Sequence, residues 1–120
     1  MLVPTIQLKD QFEQEFIKWG YEDILHGVVF TCYQSAYKIE DHHYNIIVCD
    51  EIHLGLSPEY RKFFENNTYD RLLCMTATLP EEPEYKEILQ TLAPTIYKIT
   101  LDECVALGFV ANYEIICISV

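Results

Sequence analysis

The sequence predicts an α/β fold, a mainly parallel sheet flanked by helices, from three observations. Four apolar residues, Ile46–Cys49, run without alternation straight into Asp50 and Glu51. Unalternating runs of this kind belong to strands covered on both faces, as in parallel sheets. Further strand-sized apolar runs recur along the chain, and segments with helical apolar spacing lie between them, the pattern of a doubly wound sheet. The central run also ends in carboxylates and His53, and open α/β sheets bind their ligands at the carboxyl ends of their strands. A buried strand followed by an acidic turn with no chemical role is the plainer alternative.

Taken in order, residues 1–4 are a short strand that meets Pro4 and Thr5. Leu8, Phe12, Phe16 and Trp19 then recur at spacings of four, four and three, one face of an amphipathic helix that Gly20 ends. The outer face of that helix carries Lys9, Asp10, Glu13, Glu15 and Lys18, an ordinary solvent surface. Residues 28–33 read as a second strand, with a helix starting near Gln34 and Ser35. His42 and His43 precede the central strand, predicted over 45–50. Adjacent histidines diverge from most backbones, so they read as surface or capping residues rather than metal ligands.

Ser57, Pro58 and Glu59 have the form of an N-cap, a proline at the first helical position and an acid in the first turn. The helix they open, near 58–66, has Tyr60, Phe63 and Phe64 to bury and stops at Asn66–Asn67. A strand over 71–76 follows. A helix from Glu81 onward then places Tyr85, Ile88, Leu89 and Leu92 on one face and closes at Ala93–Pro94. Residues 95–99 read as a strand, Thr100 with Glu103 as a capping box opening a short helix that ends at Gly108, and 113–119 as a last strand. No internal repeat, linker or low-complexity segment interrupts the pattern.

Composition narrows the function. One domain of 120 residues is long enough for a core but short for an ATP-driven motor, and half of it is apolar, which argues against disorder. The formal net charge of -11 opposes tight non-specific binding to nucleic acid, which depends on neutralising phosphates. Five cysteines, at 32, 49, 74, 104 and 117, are an odd number with no CxxC pair, so buried free thiols are expected rather than a disulfide framework or zinc site. The apolar runs are strand-sized and the N-terminus lacks a basic region, so neither a signal peptide nor a membrane span is expected, and the location predicted is the cytoplasm, or a host's cytoplasm for a viral protein.

Four segments carry a resemblance. Residues 50–53, DEIH, resemble the DExH form of the Walker B motif, motif II of superfamily 2 helicases and related DNA translocases. Thr76–Ala77–Thr78 in LLCMTATLP looks like motif III, LVPTIQLKDQF at 2–12 is similar to motif Ia, and FTCYQSAYK at 30–38 to the TxY segment around motif Ib. They occur in the family's order, with about twenty-five residues between motifs II and III. The resemblance covers nearly the whole chain and is nearest the first RecA-like domain of the UvrB/type III restriction subunit branch. It implies a RecA-like P-loop NTPase fold, with residues 1–120 a partial helicase ATP-binding domain running from motif Ia to motif III.

The resemblance also implies roles. Asp50 would hold Mg2+ through its water shell, and Glu51 would polarise the water that attacks the terminal phosphate of ATP. His53 would link that site to motif III through Thr76 or Thr78. Pro4, Thr5, Gln7, Thr31, Tyr33 and Gln34 would line the face that follows a nucleic-acid strand, with Tyr33 a candidate to stack on a base or, equally, a core residue.

No GxxxxGK[ST] occurs in the chain, and its four glycines, at 20, 27, 55 and 108, are isolated. The Walker A loop normally supplies the phosphate-cradling amides, a lysine and the Mg2+-binding hydroxyl, so neither Mg2+ nor ATP is expected to bind these residues tightly. The expectation is a piece of an ATP-dependent DNA helicase or translocase, inactive without a P-loop segment and a second RecA-like domain, and binding DNA weakly by itself. A stand-alone helicase-like remnant acting as a protein-interaction module is the alternative. An unrelated metal-dependent hydrolase using Asp50, Glu51 and His53 lacks further ligands. In the family the Walker A strand lies beside the strand that carries motif III. Strand 71–76 is therefore expected to take cover from a swapped or partner strand, as in a homo-oligomer, or from a local rearrangement of the fold.

Overall fold

The computed structural model describes residues 1–114 and 116. Its centre is a four-stranded sheet, β1 (Leu2–Val3), β2 (Thr31–Cys32), β3 (His43–Cys49) and β4 (Thr68–Cys74), in the order β2-β1-β3-β4 with every pairing parallel. Parallel neighbours need crossover connections, and helices supply them. A parallel sheet flanked by helices is consistent with the RecA-like arrangement.

Thr5 caps the first crossover helix, α1 (Ile6–Lys18), by accepting the Leu8 N–H at 3.3 Å. The helix closes where Gly20 takes φ +80° and the Gly20 and Tyr21 N–H groups reach back to the Ile17 and Phe16 carbonyls, a Schellman ending. Phe16 packs edge-on against Phe30. Trp19, expected on the buried face, is instead 69% exposed, because it caps the helix beyond its last turn and its indole N–H donates to Glu15 at 2.9 Å.

After β2 comes the single-turn helix α2 (Tyr33–Ala36), starting one residue before the predicted Gln34. Strand β2 itself is only Thr31–Cys32 rather than 28–33; a 3-10 turn at Glu22–Gly27 leads into residues 28–30, which lie outside the strand although the Val29 carbonyl accepts from the Met1 amino group. Strands β3 and β4 begin earlier than predicted and hold one register, from His43 opposite Thr68 to Cys49 opposite Cys74. After β3 a 3-10 turn, Ile52–Gly55, leads to α3 (Pro58–Asn66), where Ser57 accepts the Tyr60 N–H at 3.3 Å and Pro58 sits in the first turn.

Leu2, Tyr33, Ala36, Ile47, Cys49, Ile52, Leu56, Phe63 and Leu89 form the core on one side of the sheet, the last from α4 (Pro83–Leu92). Asn67 is buried there with its amide satisfied: it donates to the Ile39 and Phe63 carbonyls, both at 2.7 Å, and accepts the His42 N–H at 3.0 Å. Ile46 and Leu73 alternate with the core residues of β3 and β4, so they point to the other side, and both are exposed. Among the described residues β4 has one strand neighbour, β3.

The strand predicted at 95–99 does not form. Residues 94–100 carry no regular structure, and Ile96 is 90% exposed. The capping box does form: Thr100 accepts the Glu103 N–H at 3.2 Å, Glu103 accepts the Thr100 N–H at 2.7 Å, and α5 (Leu101–Ala106) follows. Of the strand predicted at 113–119, residues 113, 114 and 116 are not in a strand and the others lie outside the described residues. Among the described residues no helix is long and apolar enough to cross a membrane.

Candidate functional site

Parallel strands all present their carboxyl ends at one edge, and that edge gathers the candidate residues. Leu2 is in register with Thr31 on one side and Cys49 on the other. Pro4 and Thr5 after β1, Gln34 after β2, and Asp50 after β3 therefore leave the sheet together. Cys49 in register with Cys74 puts Thr76 beside the Asp50–Glu51 turn. Strand β3 is interior, between β1 and β4, and its end is the natural ligand position of such a sheet.

Backbone bonds from two neighbours anchor the turn. The Asp50 N–H donates to the Leu2 carbonyl at 3.0 Å, and the Ile52 N–H to the Met75 carbonyl at 3.1 Å. Between them Glu51 has φ +50° and ψ 53°, the left-handed region that side-chain-bearing residues avoid. Its carboxylate Oε2 lies 3.1 Å from His53 Nδ1 and 3.2 Å from Thr76 Oγ1, and Nδ1 is 2.8 Å from that hydroxyl. A carboxylate only accepts, so the hydrogen bond between Glu51 and His53 is donated by the Nδ1–H. With Nδ1 donating, the Thr76 hydroxyl receives from His53 and from the Thr78 N–H at 3.0 Å, and gives its one proton to the Thr78 carbonyl at 2.8 Å or to Glu51.

Thus His53 meets Thr76, twenty-three residues away. Of the two partners expected for His53, Thr76 is the one it touches, and Thr78 joins the network through its backbone, whose N–H and carbonyl both bond the Thr76 hydroxyl. Burial, followed by the neighbouring Glu51 charge, raises the Asp50 carboxyl above the usual aspartate range. A cation there would relieve that cost.

Of the residues expected to follow a nucleic-acid strand, Thr5, Gln7 and Gln34 are exposed and Pro4 and Thr31 half-buried. The Thr5 hydroxyl already caps α1. Tyr33 corrects the expectation: it is 3% exposed, stacks on Tyr60 and donates its hydroxyl to the Asp50 carbonyl at 2.8 Å, so it offers no face to a base. Sequence reasoning assigned no role to Gly55, an isolated glycine that lies against the Tyr33 ring.

Two carboxylates suit Mg2+, which keeps much of its water shell and takes few protein ligands. Among the described residues no group of three or more His, Cys, Asp or Glu side chains is placed to hold a metal by itself. No curated protein and no solved structure matches the chain. The family model described as "Type III restriction enzyme, res subunit" matches residues 1–81, and the chain belongs to that family.

Proposed function

We propose that these residues are the motif Ia to motif III part of a superfamily 2 ATP-dependent DNA helicase or translocase, in the UvrB/type III restriction subunit branch. Family membership supports a helicase- or ATPase-related role. The observation that carries the finer reading is the Glu51–His53–Thr76 network at the mouth of an interior parallel strand. In this reading Asp50 holds Mg2+, which supplies charge neutralisation at the phosphates of ATP. Glu51 orients and polarises the attacking water, and His53 reports the state of that carboxylate to Thr76 and the nucleic-acid edge formed by Pro4, Thr5, Gln7, Thr31 and Gln34.

The phosphate-cradling loop has no counterpart in the 120 residues, so turnover requires one from elsewhere, together with a second RecA-like domain. The chain alone should show no ATP hydrolysis above background, nucleotide affinity weaker than about 1 mM, and DNA binding that moderate salt abolishes. Fusion to the P-loop segment and second domain of a family member should give DNA-stimulated ATPase, and Asp50→Asn or Glu51→Gln should remove it. Turnover that survives Glu51→Gln would overturn the assignment.

A second reading, a helicase-like interaction module without catalysis, is favoured by one feature. The side of β3 and β4 away from the core leaves Ile46, Leu73 and Met75 exposed beside a strand edge that has no partner among the described residues. Light scattering at micromolar concentration showing a dimer or larger species would support it; a monomer would count against it.

A further inference from the structure

Of the bonds that hold the turn after β3, two are backbone bonds from Leu2 and Met75, and one comes from a side chain, the Tyr33 hydroxyl on the Asp50 carbonyl. That carbonyl belongs to the peptide joining Asp50 to Glu51. Rotating this peptide plane through half a turn would carry Glu51 from its positive φ to the ordinary negative region and swing the carbonyl off the Tyr33 hydroxyl. The left-handed Glu51 and the Tyr33 bond are two views of one peptide orientation.

Gly55 shows that the ring position matters. Its φ is not in the positive range, so its backbone does not demand glycine; the ring does. A Cβ at 55 would stand 2.5 Å from Tyr33 Cε1 and 3.0 Å from Cδ1. The ring is also stacked on Tyr60, with centroids 6.4 Å apart. Burial pushes the phenol well above its ordinary range, so the hydroxyl remains a donor at any working pH.

We propose that Tyr33, seated in the space left by Gly55, is the positioning residue of the acidic turn: its hydroxyl fixes the Asp50–Glu51 peptide, which aims the Glu51 carboxylate at His53 and Thr76. This deepens the ATPase reading, because it assigns what sets the geometry of the water-polarising residue. The geometric claim also stands apart from that reading and is tested without turnover.

The first test is Tyr33→Phe in the 120-residue chain, read by NMR. The ring stays and the bond goes. The Glu51 backbone carbon shifts and amide coupling should leave left-handed values, and the His53 Nδ1 proton signal should weaken. The unfolding equilibrium constant should rise about tenfold, the loss of one net hydrogen bond. Gly55→Ala, which displaces the ring while keeping the hydroxyl, should move the same Glu51 and His53 signals. The second test compares Glu51→Gly with Glu51→Ala. With Tyr33 present, the glycine variant should be the more stable, as a positive φ requires; in the Y33F background the order should invert. If Y33F lowers stability but leaves the Glu51 signals and the glycine preference unchanged, Tyr33 is only a packing residue and the proposal fails. ATPase in the fused protein bears on the function alone: its absence alongside shifted Glu51 signals would remove the helicase reading and keep the positioning role.

Discussion

Residues 43–80 and residues 94–114 start from the same kind of local signals and end differently. Both stretches hold an apolar run and a well-formed helix cap. In the first, Ile47 and Cys49 pair with Leu72 and Cys74, helices cover them, and the acidic turn is tied down from Leu2, Tyr33 and Met75. In the second, the capping box at Thr100 and Glu103 closes, yet the run 95–99 pairs with no strand among the described residues, and Tyr97, Leu101, Leu107 and Phe109 are exposed. The matched family region ends at 81, before this second stretch begins. A cap is satisfied by its own next turn, whereas a strand exists only when another strand accepts its bonds.

Core truncation separates the two regions most widely. Leu56→Ala, at a residue with no exposed surface, should cost about 3–5 kcal/mol in urea unfolding, the upper part of the range for a leucine with no room to collapse. Phe109→Ala, at a residue 74% exposed, should stay within about 0.5 kcal/mol. A large loss at Phe109 would mean that the C-terminal stretch packs on the sheet in solution. Next in size is Asn67→Ala, which takes the partner from the buried Phe63 carbonyl and from the part-buried Ile39 carbonyl and His42 N–H and should cost about 2–3 kcal/mol.

Caps give a smaller and sharper contrast. Ser57→Ala should lower global stability by about 1 kcal/mol, because α3 belongs to the core. Thr100→Ala should melt α5, seen as faster amide exchange at 103–107, with the global midpoint unmoved. A shared shift in midpoint would erase the distinction.

Titration gives the smallest effects, with opposite signs. Asp50 has its carboxyl raised by burial and by Glu51, so in metal-free protein its contribution favours the fold below the unfolded aspartate value and falls away as pH rises through the folded one. Glu103 is lowered by the Thr100 N–H and hydroxyl, so its support for α5 is present above the unfolded glutamate value and lost as pH falls through the folded one. Carboxyl carbon shifts followed from pH 2 to 7 should place Asp50 above and Glu103 below the ordinary carboxylates near 4. The reverse order would contradict both environments.

The sequence by itself determined what depends on near neighbours: the caps at Ser57 and Thr100, the helix faces of Phe12, Phe63 and Leu89, the strand that runs up to Asp50, and the candidate edge of the sheet. Burial of that strand on both faces, expected from its unalternating run, is not met, because Ile46 is exposed. Only the tertiary structure decided that Trp19 turns outward and that Tyr33 turns inward to the Asp50 carbonyl. It also set Glu51 left-handed, brought His53 to Thr76 rather than Thr78, and left 95–99 without a strand partner among the described residues. The physical reason is distance along the chain. A capping hydroxyl finds its N–H three residues away, so the local sequence contains both partners. The bonds that define the site span seventeen residues from Tyr33 to Asp50 and twenty-five from Glu51 to Thr76, and folding alone brings such partners together.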